Sequence, residues 1–239
     1  LGITLFYQKT IYVKIYSYSK SFGVKIMEIK YTKKDLWLAI LAGEIIVWLS
    51  LPTLKNIKIL ELLAKWGIGL KLFVVFWAFF IPAGAILGLY LFYSAAKYKN
   101  QLGLLQMGKY GVIGVLNTFL NAGIYNFLIF ITNIASGFIV DSFFIVAFII
   151  TITNSFLWNR YWTFEQIGTE TVGKDAFQFF FVSTVVAAIN IGILHLIVNV
   201  IGAPKGMDLI IWANIALALT IITAFLGNFF SYKFIVFKK

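Results

Sequence analysis

Six apolar stretches, at about 36–52, 67–95, 108–132, 142–160, 176–200 and 209–232, leave this chain of 239 residues few ways to fold. A helix of about 20 apolar residues is what a hydrocarbon layer of about 30 Å requires, and within that layer every backbone donor and acceptor must be satisfied inside the segment. The stretches are too long and too continuous for the roughly 10-residue alternating strands of an outer-membrane barrel. Only 12% of residues are charged and 61% are hydrophobic, with a mean hydropathy of +0.92, whereas soluble domains carry about 25% charged residues. The expected fold is therefore all-α, a polytopic membrane helix bundle of about six spans.

The first stretch, at about 17 residues, is the shortest of the six. It contains Glu44 and ends at Pro52, a residue unsuited to a helix interior, so a short span and a re-entrant segment both stay open. The segment 53–65 places Lys58, Glu61 and Lys65 on one face, away from Leu54, Ile57, Leu62 and Leu63, which predicts a helix lying in the interface.

Lysine and arginine number 20 against 9 acids, a formal charge of +11. In a membrane protein such an excess gathers in cytoplasmic loops and against anionic lipid, so no nucleic-acid partner is expected. Lys97, Lys99 and Lys109 precede the third stretch, Arg160 and Lys174 follow the fourth, and Lys233, Lys238 and Lys239 follow the sixth. The positive-inside rule then makes the C-terminus and the 96–109 and 160–175 connections cytoplasmic in a multi-pass protein of the plasma membrane. Lys55, Lys58 and Lys65 fit this orientation poorly. With no cysteine and one histidine, His195, neither a thiolate nor a multi-histidine metal centre is expected, and no cofactor is implied.

Three segments follow from these patterns: 1–26, 27–107 with two apolar stretches, and 108–239 with four. Residues 1–26 carry four lysines and no apolar run long enough to span. Met27 opens a pattern in which Lys30, Lys33 and Lys34 precede the first stretch, so translation from Met27 and a genuine N-terminal tail are both open.

The last segment contains an internal repeat. A shift of 69 residues lays 108–128 over 177–197, matching Asn121 with Asn190, Gly123 with Gly192 and Asn126 with His195. A shift of 73 lays NSFLWNRYWTF (154–164) over GNFFSYKFIVF (227–237), matching Phe156 with Phe229, Arg160 with Lys233 and Phe164 with Phe237. Two copies of a two-helix unit enter the bilayer from the same side, so the predicted repeat is parallel, about an axis along the membrane normal.

At these residues the chain resembles the GtrA-like family of four-span membrane proteins, through Asn154, Phe156, Asn159, Arg160, Trp162 and Phe164 and their looser echo in NFFSYKFIVF. It departs from the pattern at Ser155, where asparagine is common, and in residues 1–107. The resemblance implies a role in cell-surface glycan assembly: moving a polyprenyl-phosphate-linked sugar across the membrane. The same module is also similar to the membrane part of some polyprenyl-phosphate glycosyltransferases.

Polar residues within the stretches are the candidate site. Asn117, Asn121, Asn126, Asn154, Asn190, Asn199, Asn214 and Asn228 must each find a partner in lipid, and bonding between helices is the plain expectation. At about 100° per residue Asn117 and Asn121 share a face while Asn126 points away, so one cleft cannot take all three. The repeat-related pair Asn121 and Asn190 is the better candidate for a polar substrate groove. His195, expected mid-span, is read as a neutral, hydrogen-bonded core histidine or a proton carrier. Arg160 and Lys233, each beside aromatics at a helix end, either snorkel or hold a lipid phosphate, for which a guanidinium fork is the better shaped. Asn159 completes the motif. Gly84 with Gly88, and Gly108, Gly111 and Gly114, predict close helix contacts within the chain or between copies in a homo-oligomer.

Positioned acids, bases and nucleophiles are scarce, and the carboxylates Asp141, Glu165, Glu170, Asp175 and Asp208 fall in short loops, so the chain is not expected to be an enzyme. Two function classes remain: a flippase for a polyprenyl-phosphate-linked sugar, needing a polar groove, and a non-catalytic scaffold for a separate glycosyltransferase, needing a docking face.

Overall fold

A computed structural model describes residues 29–165 and 172–231. These residues form helices without strands: α1 (Lys33–Asn56), α2 (Ile59–Lys65), α3 (Leu70–Lys99), α4 (Leu102–Thr132), α5 (Phe138–Trp158, prolonged by a wider turn Asn159–Thr163), α6 (Val172–His195, prolonged by Leu196–Ile201) and α7 (Leu209–Ser231). Among the described residues five helices are long and apolar enough to cross a membrane, and the apolar part of α7 described in full runs Leu209–Thr223. The expected polytopic helical bundle is what forms.

The first stretch is a continuous helix, not a short one ending at proline. At 24 residues α1 spans about 36 Å at 1.5 Å per residue. Pro52 lies inside it and removes one backbone donor, yet the helix runs on for another turn to Asn56. In a bundle, neighbouring side chains and helices make such an interruption tolerable. Residues 53–56, expected to lie in the interface, therefore belong to α1. Lys58 then breaks the helix in the left-handed region (φ 62°), and only the short α2, none of whose side chains is buried, is left between α1 and α3.

Helices in lipid associate by close packing, because the tails are as apolar as leucine. Two glycines of the α1 contacts show how close: a methyl on Gly43 would lie 2.5 Å from Pro82 Cα in α3, and one on Gly123 in α4 would lie 2.5 Å from the Leu49 carbonyl oxygen. Gly84, Gly88, Gly111 and Gly114 meet nothing within 4 Å, so of the glycines expected to make contacts within the chain only Gly108, against Phe92, does so.

α4 sits at the centre. One side, with Leu105, Ile113 and Leu116, is buried against Ala39, Ala42 and Ile46 of α1 and Leu89 and Ala96 of α3. The other, with Tyr125 and Ile129, joins Val140, Phe144 and Ala147 of α5, Leu194 and Val198 of α6, and Ala213, Ala216 and Leu217 of α7. The α1–α3 extension is thus packed into the bundle.

Both prolongations have i→i+5 bonds: Phe164 N–H donates to the Asn159 carbonyl at 2.9 Å, and Gly202 N–H to that of Ile197 at 3.2 Å. The turn at 196–201 would fall, by the 69-residue shift, on 127–132, which is ordinary α-helix. Much of the second copy of the ending, at 227–237, lies outside the described residues, and so does the segment 1–26.

Candidate functional site

The polar residues gather at three levels. The level at the start of α1, the C-terminal end of α5 and the start of α4 is built around Asp35, Lys109 and the turn 159–163. Thr32 caps α1: its hydroxyl accepts from Asp35 N–H at 3.1 Å, and the Asp35 carboxylate accepts from Thr32 N–H at 2.9 Å. The same carboxylate pairs with Lys109 at 2.8 Å and accepts from the Trp162 indole at 2.8 Å. Lys109 reaches Glu165 at 3.5 Å as well, and Lys34 donates to the Tyr161 carbonyl at 2.9 Å. Asp35 and Lys109 are at most 4% exposed, so each offsets the desolvation of the other. Nearby, burial raises the affinity of the Tyr31 hydroxyl for its proton, and the negative charge of Asp35 adds to this.

Asn159 and Arg160 belong to this level. The Asn159 amide donates to the Ser155 carbonyl at 2.9 Å and its oxygen accepts from Thr163 at 3.2 Å. Arg160 is 4% exposed and held against neighbouring residues, beside Trp158 and Trp162, which meet edge to face at 5.5 Å. A snorkelling cation would have its head in water, so that expectation is corrected. A lipid phosphate would reach this guanidinium only by displacing what covers it. Lys233 lies outside the described residues.

Deeper in the bundle, Asn154 of α5 donates to Asn117 of α4 at 2.8 Å, a pair that sequence reasoning placed in the site without joining. Asn121 is half-buried and Asn190 is 6% exposed, and no hydrogen bond between the two occurs among the described residues. The Asn190 Oδ1 is buried with no partner, as are the Tyr125 hydroxyl and Thr151 Oγ1. Such orphaned atoms cost about 1–3 kcal/mol apiece.

At the opposite end of the helices His195 is not mid-span but six residues from Ile201, where α6 ends. Its Nδ1 lies 2.6 Å from the Asp141 carboxylate, Asn199 Nδ2 lies 3.3 Å from both oxygens of Asp141, and the Phe138 ring stacks on the imidazole at 5.4 Å. In the tautomer that carries its hydrogen on Nδ1, the imidazole donates to the Asp141 carboxylate, which also accepts from the Asn199 amide. Asp141, expected in a loop, is 7% exposed in the first turn of α5.

Asn126 at this end is fully buried. Its amide donates to Asn214 of α7 at 2.8 Å and to the Ala122 carbonyl at 3.0 Å, while its oxygen accepts from Asn56 of α1 at 2.8 Å. It points away from the Asn117 pair, as the helical angle predicts. Lys58 and Asp208 form an exposed 2.8 Å bridge at this end, and the hydrogen bond from Lys58 holds the Asp208 carboxyl below the usual carboxylate range. Lys55 lies 4.0 Å over the Phe130 ring. Two of the three lysines that fit the charge rule poorly therefore have local partners.

Sequence reasoning missed Asp35, Lys109, Asp141 and Tyr125 as site residues. The first three stand at the margins of apolar stretches, where Lys109 read as an orienting charge and Asp141 as a loop charge.

A family model described as GtrA/DPMS, transmembrane domain, matches residues 109–237, more than half of the chain. The matched range begins at Lys109 in α4 and takes in α5, α6 and α7. No curated protein and no solved structure matches the chain.

Proposed function

Since the chain belongs to the GtrA/DPMS transmembrane-domain family, we propose that it moves a polyprenyl-phosphate-linked sugar between the leaflets of the plasma membrane during cell-surface glycan synthesis. The observation that carries the reading is a family-matched bundle holding polar side chains deep between apolar helices: Asn117 bonded to Asn154, and Asn190 buried with an unpartnered oxygen. A sugar phosphate faces an unfavourable crossing of hydrocarbon, and side-chain amides replace part of its hydration. Arg160 supplies the phosphate-binding fork at the level of Asp35 and Lys109, which we assign to the cytoplasmic side together with the C-terminus. The chain acts here without a catalytic step of its own, in keeping with one histidine and no cysteine.

The rival reading, a scaffold for a separate glycosyltransferase, draws on the exposed Lys30, Lys33, Lys97 and Lys99 at the same level. Purified protein in sealed liposomes separates the two. The flippase equilibrates a radiolabelled polyprenyl-phosphate-sugar across the bilayer with no glycosyltransferase and no nucleotide added. Exchange at the protein-free rate, together with a glycosyltransferase that co-purifies, would establish the scaffold.

A further inference from the structure

We propose that the seam between α5 and α6, closed in this structure, opens to water, and that Tyr125, Thr151 and Asn190 line the path of the sugar phosphate headgroup through it. The inference rests on the transport reading and assigns that transport to one place in the bundle.

Four buried side-chain polar atoms among the described residues have no hydrogen-bond partner. One, the Tyr31 hydroxyl, lies ahead of α1. By helical spacing the other three fall on the buried faces of α4, α5 and α6. Tyr125 is packed with Phe144 and Ala147 of α5 and Leu194 and Val198 of α6. Thr151 follows Phe144 and Ala147 along α5 at helical spacing, and Asn190 belongs to the buried stripe that includes Leu194 and Val198 of α6. A buried polar atom without a partner forfeits its bonds to water and receives nothing in return, and native interiors hold few of them. Three on neighbouring helices, where the other buried asparagines among the described residues are bonded, call for an explanation.

Their depths supply one. At 1.5 Å per residue Tyr125 lies about 10 Å from the Thr132 end of α4, Asn190 about 16 Å from the Ile201 end of α6, and Thr151 about 20 Å from the Phe138 end of α5. These three helix ends are on the same side of the bundle. The polar atoms therefore step from about one third to about two thirds of the way through a core about 30 Å thick. His195 and Asp141 stand at the shallow end of the row, and Asn154, bonded to Asn117, continues it on the far side.

The seam is also weakly fastened. Asp141 is tied to His195 and Asn199 at one end, and between His195 and the Phe156–Phe180 ring contact no side-chain hydrogen bond crosses from α5 to α6 among the described residues. Parting the helices over that stretch breaks no such bond among the described residues, and it exposes groups that gain hydrogen bonds when water or a sugar enters.

The absence of native cysteine allows a test that does not depend on transport. In liposomes, Thr151→Cys is treated with a water-soluble methanethiosulfonate, alongside Ile149→Cys, a neighbouring position 55% exposed on the outer surface of the bundle. Only a hydrated thiol ionises and reacts. Modification of Thr151→Cys at least tenfold faster than Ile149→Cys, slowed by added polyprenyl phosphate, is the expected result. Equal rates, or an inert Thr151→Cys, overturn the inference. Tyr125→Phe and Asn190→Leu remove the orphaned atoms, so the melting temperature holds or rises while exchange of a polyprenyl-phosphate-sugar falls at least tenfold. Exchange at the wild-type rate in both variants also overturns it. If Thr151→Cys is modified but the wild-type protein exchanges no lipid, the wet seam stands and the transport reading falls.

Discussion

Lys109 and Asp35 form a 2.8 Å ion pair that is almost wholly enclosed, and it joins the first residue of the family-matched range to a helix outside that range. The α1–α3 extension thus neutralises a buried cation of the four-helix unit. The Trp162 indole, bonded to the same carboxylate, makes the extension part of the level where Arg160 sits.

Removing one partner leaves the other charged in an enclosed place. Lys109→Met should cost about 3–5 kcal/mol, whereas Lys109→Met with Asp35→Asn should recover part of that loss, because asparagine removes the unpaired charge but keeps one oxygen where the α1 cap and the Trp162 indole use two. Denaturation of the two variants in detergent measures the difference. Equal losses would show that the pair is not enclosed.

Asn126 bonds side chains on two other helices, while Asn117 bonds one and is less enclosed. At roughly 0.6–1.7 kcal/mol per membrane hydrogen bond, Asn126→Ala should destabilise by about 1–2 kcal/mol and Asn117→Ala by less than about 1 kcal/mol. Thermal unfolding in detergent gives the order, and the reverse order would sink the assignment.

The Lys58–Asp208 bridge is the counterexample, since both partners face solvent and exposed pairs contribute little. Asp208 is held below its ordinary range by Lys58. A carboxyl depressed in the folded state stabilises above its unfolded pKa, and that contribution disappears as pH falls through the folded value. Lys58→Met should therefore melt with the wild-type protein at physiological salt. A gap should open only at low ionic strength near neutral pH and close on acidification.

Arg160→Lys keeps the charge and loses the planar fork. Polyprenyl phosphate should bind this variant about tenfold or more weakly, the scale of a hydrogen bond to a charged group, with the melting temperature read in parallel because the guanidinium is buried. Unchanged affinity in a folded variant would leave Arg160 a packing role only.

Single cysteines at Asn100 and Lys205, both exposed and at opposite ends of the bundle, fix the orientation. An impermeant thiol reagent on intact cells should label Lys205→Cys and spare Asn100→Cys. The converse pattern would invert the topology.

The spans were legible because an apolar run of about 20 residues has one stable use in lipid. The site was legible in part. Asn126 and Asn154 announced that they needed partners, but the partners, Asn56 with Asn214 and Asn117, stand on other helices at separations that no periodicity encodes. Asp141 read as a loop charge because it opens its helix, and only packing reveals that it and Asp35 face inward. His195 was placed too deep because the apolar run continues past it to Ile201 and hides the carboxylate waiting at the start of α5.

The wider turn at 159–163 has a consequence for how this level is assembled. An i→i+5 turn holds one residue more than an α-helical turn, and each residue on a helix is worth about 100° of rotation. Shortening 159–163 by a single residue would restore the regular winding of α5 and swing Trp162 about a quarter-turn out of phase with Asp35. The clasp between the extension and the four-helix unit is therefore written into chain length as much as into residue identity. A one-residue deletion there should undo it with Asp35, Lys109 and Trp162 all still present.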